Sequence, residues 1–323
     1  MDDRELLNLL AQQPRTCLQL VGLLGLDQTR LSDRLEALQQ AGVALTLDTR
    51  GRWSFNPQRR LLDASIIRGA VHPTLWHQVN QLDIGWSVDS TNTALLDRSV
   101  PDTGINIFLA EHQVEGRGRR GRRWASPIAT NIYASVSCVL SGSHDRLVGL
   151  SIAVGVAVAK ALRHMLPSVA TMLKWPNDIV VADKKLGGIL IESRRYAPNR
   201  IHAVVGIGIN TYLPPRMATE IEQPWTDLET LTGRIIDRNQ LIGCILNRLI
   251  PAFQTYEIQG IFPFIHQFEP FDNLRGRDIS VKMTGEGTLI FAAACGIAED
   301  GGLRINVSGV ERVVHSGEVI VRL

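Results

Sequence analysis

The chain has 323 residues, of which 45% are hydrophobic and 20% charged, and its formal net charge is +2. That length favours two or three domains, and the near-neutral balance excludes bulk attraction to nucleic acid or membrane, so any basic function has to sit in a local cluster. Four cysteines, Cys17, Cys138, Cys244 and Cys295, stand far apart, which argues against a disulfide framework and against a zinc site. The chain starts with acidic residues where a secretory signal would be basic, and its longest apolar run, Leu147 to Ala159, is too short to span a bilayer. A cytoplasmic protein is expected.

Residues 1–65 read as a small helical unit closed by a hairpin. Leu6, Leu7, Leu9 and Leu10 give one helix face, and Leu18 to Leu24 a second helix; Asp27 is placed to cap a third through Arg30 to Ala41. Leu31, Leu35 and Leu38 recur at helical spacing and turn Gln28, Arg30, Asp33 and Arg34 toward solvent. Gly42 stops that helix, and Val43 to Leu47 and Arg52 to Phe55 flank a turn with a basic tip. The set predicts a winged helix-turn-helix.

Pro57, Arg59 and Arg60 mark a linker, and a mixed α/β domain over 66–270 follows. Strands are expected at Ile105 to Glu111, Asn131 to Leu140, Leu186 to Glu192 and His202 to Asn210, with a Gly- and Ala-rich helix from Leu147 to Leu166 that can pack closely on a sheet. Asp237 with Gln240 opens a long helix interrupted near Pro251. Over 271–323, short β-runs separated by turns at Gly285, Gly287, Gly301, Gly302 and Gly309 predict a small all-β barrel.

The most distinctive segment runs from Gly116 to Trp124 and interleaves five arginines with three glycines. Its first six residues match the spacing of a dinucleotide fingerprint, but no helical period follows, so phosphate would meet no helix N-terminus there. A solvated basic run or a nucleic-acid patch fits the charge alone. A third reading uses every residue type: glycines let backbone N–H groups face phosphate oxygens while guanidinium groups neutralise the polyphosphate, in a loop left free to order over its ligand.

The second segment joins Lys174-Trp175-Pro176-Asn177-Asp178 to Lys184-Lys185-Leu186-Gly187-Gly188. Only five lysines stand against 29 arginines, and three of the five fall here. A compact ammonium on a flexible stem can follow a carboxylate or phosphate through a reaction, and Asp178 could hold magnesium; packing by Trp175 and Pro176 beside a solvated turn is the plainer alternative. Ser90-Thr91-Asn92 can bind a polar head group or cap a helix. Gly206 to Asn210 reads as a buried strand open to close backbone approach. The sequence contains no Walker A motif, nucleophile elbow or metal-binding histidine pair.

In order and spacing these segments resemble the biotin protein ligase family, and the N- and C-terminal patterns resemble its bifunctional ligase and operon-repressor type. The resemblance implies an α/β catalytic domain like that of class II aminoacyl-tRNA synthetases, followed by an SH3-like β-barrel. It implies that ATP and Mg2+ serve as cofactors, that biotin becomes biotinyl-adenylate, and that biotin passes to a lysine of the biotin carboxyl carrier protein of acetyl-CoA carboxylase. Lys185, Arg119 and Arg117 would be catalytic. Ser90, Thr91, Asn92 and Gln113 would take biotin's ureido end, and Arg117, Gly118, Arg119 and Lys185 its carboxylate. Arg119, Arg120, Arg122, Trp124, Lys174, Asn177, Asp178 and Asn210 would serve the nucleotide, with Trp225 stacked on adenine, Glu318 and Arg322 reaching in from the C-terminus, and Asp178 holding magnesium. Operator DNA would meet Gln28, Arg30, Arg34, Arg50 and Arg52, read by a homodimer that forms when the adenylate is bound.

One region departs from the family's pattern. Asp27 and Asp33 occupy positions where operator-binding relatives have serine and a basic residue, and eight arginines are balanced by eight carboxylates over residues 1–65, which weakens attraction to phosphate. Two rivals stay open: a lipoate or octanoate ligase, and a repressor that senses biotin without catalysis.

Overall fold

The computed structural model describes residues 3–100, 102–142, 144, 146–218, 221–282 and 289–321. Leucine spacing builds the first unit: α1 (Asp3–Gln12), α2 (Cys17–Leu24) and α3 (Gln28–Gln40) bury Leu6, Leu7, Leu10, Leu20, Leu31, Leu35 and Leu38 against one another. The Asp27 carboxylate accepts the Arg30 N–H at 3.0 Å and so caps α3. Strands β1 (Arg15–Thr16), β2 (Leu45–Leu47) and β3 (Arg52–Phe55) form an antiparallel sheet in the order β1-β3-β2. Ile128 and Ala129, more than 70 residues further on, belong to the same apolar cluster, so this unit is seated on the central region rather than tethered beside it.

The segment expected to be a linker is clamped. Arg59 makes two contacts of 2.7 and 2.6 Å with Glu229 and lies 4.1 Å over the Tyr212 ring. Deeper in, Glu111 accepts the Leu62 N–H at 2.5 Å and Arg238 Nη1 at 2.6 Å, and Arg238 donates to the carbonyls of Asn131 and Arg60, both at 3.1 Å. Glu111 and Arg238 are 0% and 4% exposed. A buried pair satisfied on both sides holds only as a set, and loss of one partner costs about 3–5 kcal/mol.

The central body contains α4 (Ala64–Ala70), β4 (Val79–Val88), α5 (Thr91–Leu96), β5 (Ile105–Gln113), β6 (Ile132–Ser141), α6 (Arg146–Met165), β7 (Met172–Lys174), β8 (Asp178–Val181), β9 (Lys184–Ala197) and β10 (Arg200–Ile209). Beyond them come α7 (Pro215–Ala218), α8 (Leu228–Thr232), α9 (Arg238–Gln259) and α10 (Phe262–Phe268). The strands form a mixed sheet in the order β4-β5-β6-β10-β9-β8-β7, with β4 and β5 parallel and the other pairs antiparallel. Ile201, Ala203, Val205, Ile207 and Ile209 of β10 join the main core that α6 and α9 share. The alternate residues of β10 face the other way, where Val204 meets Leu95 of α5, and the candidate site lies on that face. Helix α6 is 20 residues long and apolar enough to cross a membrane by length alone, but most of it is buried in the core.

Several sequence expectations shift. Helix α9 continues through Pro251, because Leu246, Leu249, Ile250, Phe253 and Tyr256 are all buried along it and that packing outweighs the roughly 3 kcal/mol a helical proline costs. Edge strand β4 and the short hairpin of β7 and β8 carry no clear signal in the sequence. Half-exposed, polar β4 lacks a clean alternation, and β7 is three residues long.

The last segment forms an antiparallel sheet of β11 (Asp278–Lys282), β12 (Leu289–Ile297), β13 (Leu303–Val307), β14 (Val310–Val314) and β15 (Glu318–Val321), in the order β14-β13-β12-β11-β15. The turn expected at Gly285 and Gly287 lies outside the described residues. Ile279, Val281, Leu303 and Ile305 share the main core, and Trp175 Nε1 donates to the Gly301 carbonyl at 3.0 Å. Trp175 is thus a packing residue that ties the lysine-bearing hairpin to the C-terminal sheet.

Candidate active site

A cavity of about 370 Å³ opens on the α5 face of the central sheet. Its floor is made where β9 and β10 lack side chains. A Cβ on Gly208 would lie 2.7 Å from the Trp124 ring and one on Gly206 2.6 Å from Asn92 Oδ1, so these glycines are what let the indole and the amide lie flat against the sheet.

At one end, α5 begins at the cavity wall. Ser90 holds the N-cap position yet makes no capping hydrogen bond, and it lines the cavity. Gln113 Oε1 accepts from the Thr91 N–H at 3.0 Å and the Thr91 hydroxyl at 3.1 Å, while Gln113 Nε2 donates to Ser126 Oγ at 3.2 Å. Ser135 Oγ, buried on β6, lies 2.7 Å from Thr91 Oγ1 and 2.6 Å from Asn92 Oδ1. Ser135 and Ser126 escape a reading of the sequence. The signal for Ser135 is an alternation of polar and apolar residues in a strand that is buried on both faces.

The arginine loop closes the opposite wall. Its backbone folds back on itself, with the Gly118 N–H donating to the Arg122 carbonyl at 2.7 Å and the Trp124 N–H to Gly116 at 2.8 Å. Arg120 and Gly121 both take positive φ, 59° and 71°, as the two central residues of a tight hairpin turn do. Hence the Gly118 N–H, expected to face the ligand, is consumed inside the loop. Glu318 of β15 reaches over to Arg122 at 2.8 Å and Arg120 at 3.4 Å, so the C-terminal sheet holds the loop's tip.

The remaining cations stand beside the loop. Lys185 Nζ sits 2.7 Å from Asp178 Oδ1 and 5.6 Å from the centre of the Trp124 ring. Arg119 Nη1 donates to Asn177 Oδ1 at 3.3 Å, and burial, ahead of its arginine neighbours, lowers its pKa. Burial likewise lowers that of Lys174, against the opposing pull of Asp178. Such a group gains more than a solvated one from an incoming anion. Arg117, in contrast, lies against Glu192 at 3.1 Å, a carboxylate that the sequence does not single out.

Two residues assigned to the nucleotide stand apart from this cavity. Asn210 is buried and donates to the Thr226 carbonyl at 3.2 Å. The backbone at Trp225 bridges to Lys185, through Lys185 N–H to Pro224 O and Thr226 N–H to Lys185 O, both 2.9 Å. Trp225 and Asn210 are absent from the cavity lining, so both steady the Lys185 strand in this structure; Arg322 lies outside the described residues. Among the described residues no three His, Cys, Asp or Glu side chains are grouped as a metal cage. On the N-terminal unit, Gln28, Arg30 and Arg50 are exposed, whereas Arg52 pairs with Asp48 at 2.8 Å and Arg34 Nε donates to Asp3 at 2.7 Å.

Comparison with known proteins places this geometry. The model of the Biotin/lipoate A/B protein ligase family matches residues 84–210. Bifunctional ligase/repressor BirA of Escherichia coli is 32% identical over 310 residues, covering 94% of this chain and 92% of the relative. The chain belongs to the biotin protein ligase family. Biotin–[acetyl-CoA-carboxylase] ligase of Mycobacterium tuberculosis is 31% identical over 246 residues, covering 74% of this chain and 88% of the relative. The structure of biotin protein ligase from Aquifex aeolicus in complex with biotin and ATP superimposes with a TM-score of 0.62 at 27% identity, over 75% of this chain and 99% of that one. The residues matched by the family model run from β4 to the end of β10 and so contain the head-group end, the arginine loop and Lys185; Trp225 and Glu318 lie beyond them.

Proposed function

We infer that the chain is an ATP-dependent biotin protein ligase. The observation that carries this reading is one cavity with a hydrogen-bonding end at Ser90, Thr91 and Gln113 and a cationic end at Lys185, Arg119 and Lys174. A fused ureido ring with a carboxylate on an alkyl chain fits that polarity. Lipoate would leave the polar end unpaired, because its disulfide ring offers no donors, and a sensor of biotin alone would need no phosphate apparatus.

The biotin carboxylate attacks the α-phosphorus of ATP, the phosphorus–oxygen bond to pyrophosphate breaks, and the carriers of positive charge stabilise the oxyanions as they form. The carrier lysine then attacks the mixed anhydride, forming an amide and releasing AMP. The chain's part is to hold both reactants in line and to meet developing charge, so no enzyme nucleophile is required. Asp178 is the residue that would hold magnesium. One carboxylate without a cage suits an ion that takes its other oxygens from phosphate and water, and the ion would neutralise charge on the phosphates.

We read residues 1–65 as a winged helix-turn-helix, 66–270 as a class II synthetase-like ligase domain and 271–323 as an SH3-like barrel, in a cytoplasmic protein with its thiols reduced. Gln28, Arg30 and Arg50 are the groups offered to operator DNA. Arg34 and Arg52 would have to exchange Asp3 and Asp48 for phosphate, so DNA affinity should depend on a dimer that joins two weak half-sites when the adenylate is bound. Biotin carboxyl carrier protein is the acceptor.

The test is biotin-dependent exchange of pyrophosphate into ATP by the purified chain across a magnesium series, followed by transfer to a carrier protein. Exchange that needs both biotin and magnesium is expected; exchange without biotin, or none, would overturn the reading. Footprinting on DNA upstream of biotin-synthesis genes, with and without biotin plus ATP, tests the repressor. Protection only with both ligands is expected, and identical patterns in the two states would remove that role.

A further inference from the structure

We propose that Glu192 is a positioning residue that fastens the first arginine of the loop to the head-group end of the cavity. The inference rests on the ligase reading and assigns Arg117 a different task from its neighbours. Glu192 receives Arg117 through Nε at 3.2 Å and Nη2 at 3.1 and 3.2 Å, and Arg117 Nη2 also donates to Thr93 Oγ1 at 2.9 Å. A guanidinium held by four hydrogen bonds is fixed in place, so Arg117 anchors while Arg119, Lys185 and Lys174 neutralise.

The same carboxylate is tied to the other end of the site. Asn92 Nδ2 donates to Glu192 Oε2 at 2.7 Å and to the Leu190 carbonyl at 3.3 Å. With its amide protons directed there, Asn92 Oδ1 can only accept, and Ser135 Oγ at 2.6 Å is its donor. The Thr91 hydroxyl donates to Gln113 Oε1 at 3.1 Å, so at its 2.7 Å contact with Ser135 Oγ it accepts, and the one Ser135 proton is shared between Thr91 Oγ1 and Asn92 Oδ1. A head group that engages the Thr91 hydroxyl thus changes how the Ser135 proton is shared and acts on a continuous network, Thr91–Ser135–Asn92–Glu192–Arg117, that ends on the loop. Gly206 keeps the path open, since its Cβ would meet Asn92 Oδ1 at 2.6 Å.

Loss of this tie should loosen the loop over bound biotin and over the adenylate while leaving the charges that act on phosphate in place. For Glu192→Gln, biotin KM should rise about tenfold and adenylate release should quicken by a similar factor, the size of one charge-assisted hydrogen bond, with kcat at saturating biotin falling less than about threefold. The experiment measures pyrophosphate exchange and the release of preformed radiolabelled adenylate for wild type, Glu192→Gln, Arg117→Gln and the double variant. The double variant should release adenylate no faster than the faster single one, because both changes cut one link. Multiplying release rates, or a Glu192→Gln enzyme with wild-type KM and release, would overturn the proposal while wild-type exchange left the ligase reading intact. Absence of exchange in the wild type would overturn both. If Glu192→Gln fails to fold, Glu192→Asp, which keeps the charge on a shorter stem, decides by the same two readouts.

Discussion

Replacement of Lys185 by methionine isolates the largest electrostatic contribution in the site. The backbone at 185 is pinned by its bridge to the 224–226 segment, so the substitution removes an ammonium and leaves the strand where it was. The Lys185 side chain is 18% exposed, and its Nζ lies 2.7 Å from Asp178 Oδ1. At such depth a unit charge about 4 Å from a developing phosphoryl charge contributes about 4 kcal/mol at an effective dielectric near 20. Arg119 and Lys174 share that charge, which brings the expected loss to about 3–4 kcal/mol, or a factor of roughly 10²–10³ in kcat/KM for pyrophosphate exchange. Stability should fall by less than about 1 kcal/mol, since the broken pair is partly solvated. Exchange kinetics and a thermal melt on the same preparation separate the two. A loss of activity below tenfold in a folded enzyme would refute the idea that Lys185 meets the reacting phosphate.

Two further outcomes follow from the floor and from the sheet's far end. Gly208→Ala places a methyl 2.7 Å from the Trp124 ring, whereas Gly188→Ala meets it at 3.4 Å; the first should raise biotin KM at least about tenfold and the second far less, and equal effects would show that Trp124 does not wall the cavity. His202 is 5% exposed with no partner for Nε2 among the described residues, and burial, with Arg194 adding to it, lowers its pKa from 6.5. The unfolded chain therefore takes up the proton first, so stability is full above about pH 6.5 and is lost as pH falls below it. Urea midpoints at about pH 8 and 5.5 should drop more on acidification for the wild type than for His202→Gln, and parallel curves would exclude the histidine as the cause.

Chemistry written into contiguous motifs is legible in the amino-acid sequence. The arginine loop, Ser90-Thr91-Asn92 and the lysine-bearing hairpin all line one cavity, and each is a contiguous segment, so their resemblance to the family can be read from order and spacing. The leucine spacing of residues 6–38 likewise predicts the first three helices, since helical period and burial coincide there. Residues that act through partners remote in sequence are not legible. Glu192 reads as one polar position at the end of a strand, and only the pairing of β9 with β10 and the placement of α5 bring it to Asn92 and Arg117. Glu111 and Arg238, 127 positions apart, are ordinary charges until folding removes water from both and makes each the other's necessary partner. Trp225, in a proline-bounded loop, has its backbone paired with Lys185, a link between segments 40 positions apart that the sequence does not show. Local elements are legible from the sequence alone, and the ligand through the motifs' resemblance to the biotin protein ligase family, because periodicities and motifs are properties of short segments. The tertiary structure alone decided which charges are neutralised and which remain for phosphate, because that depends on distances between segments and on how much water folding leaves between them.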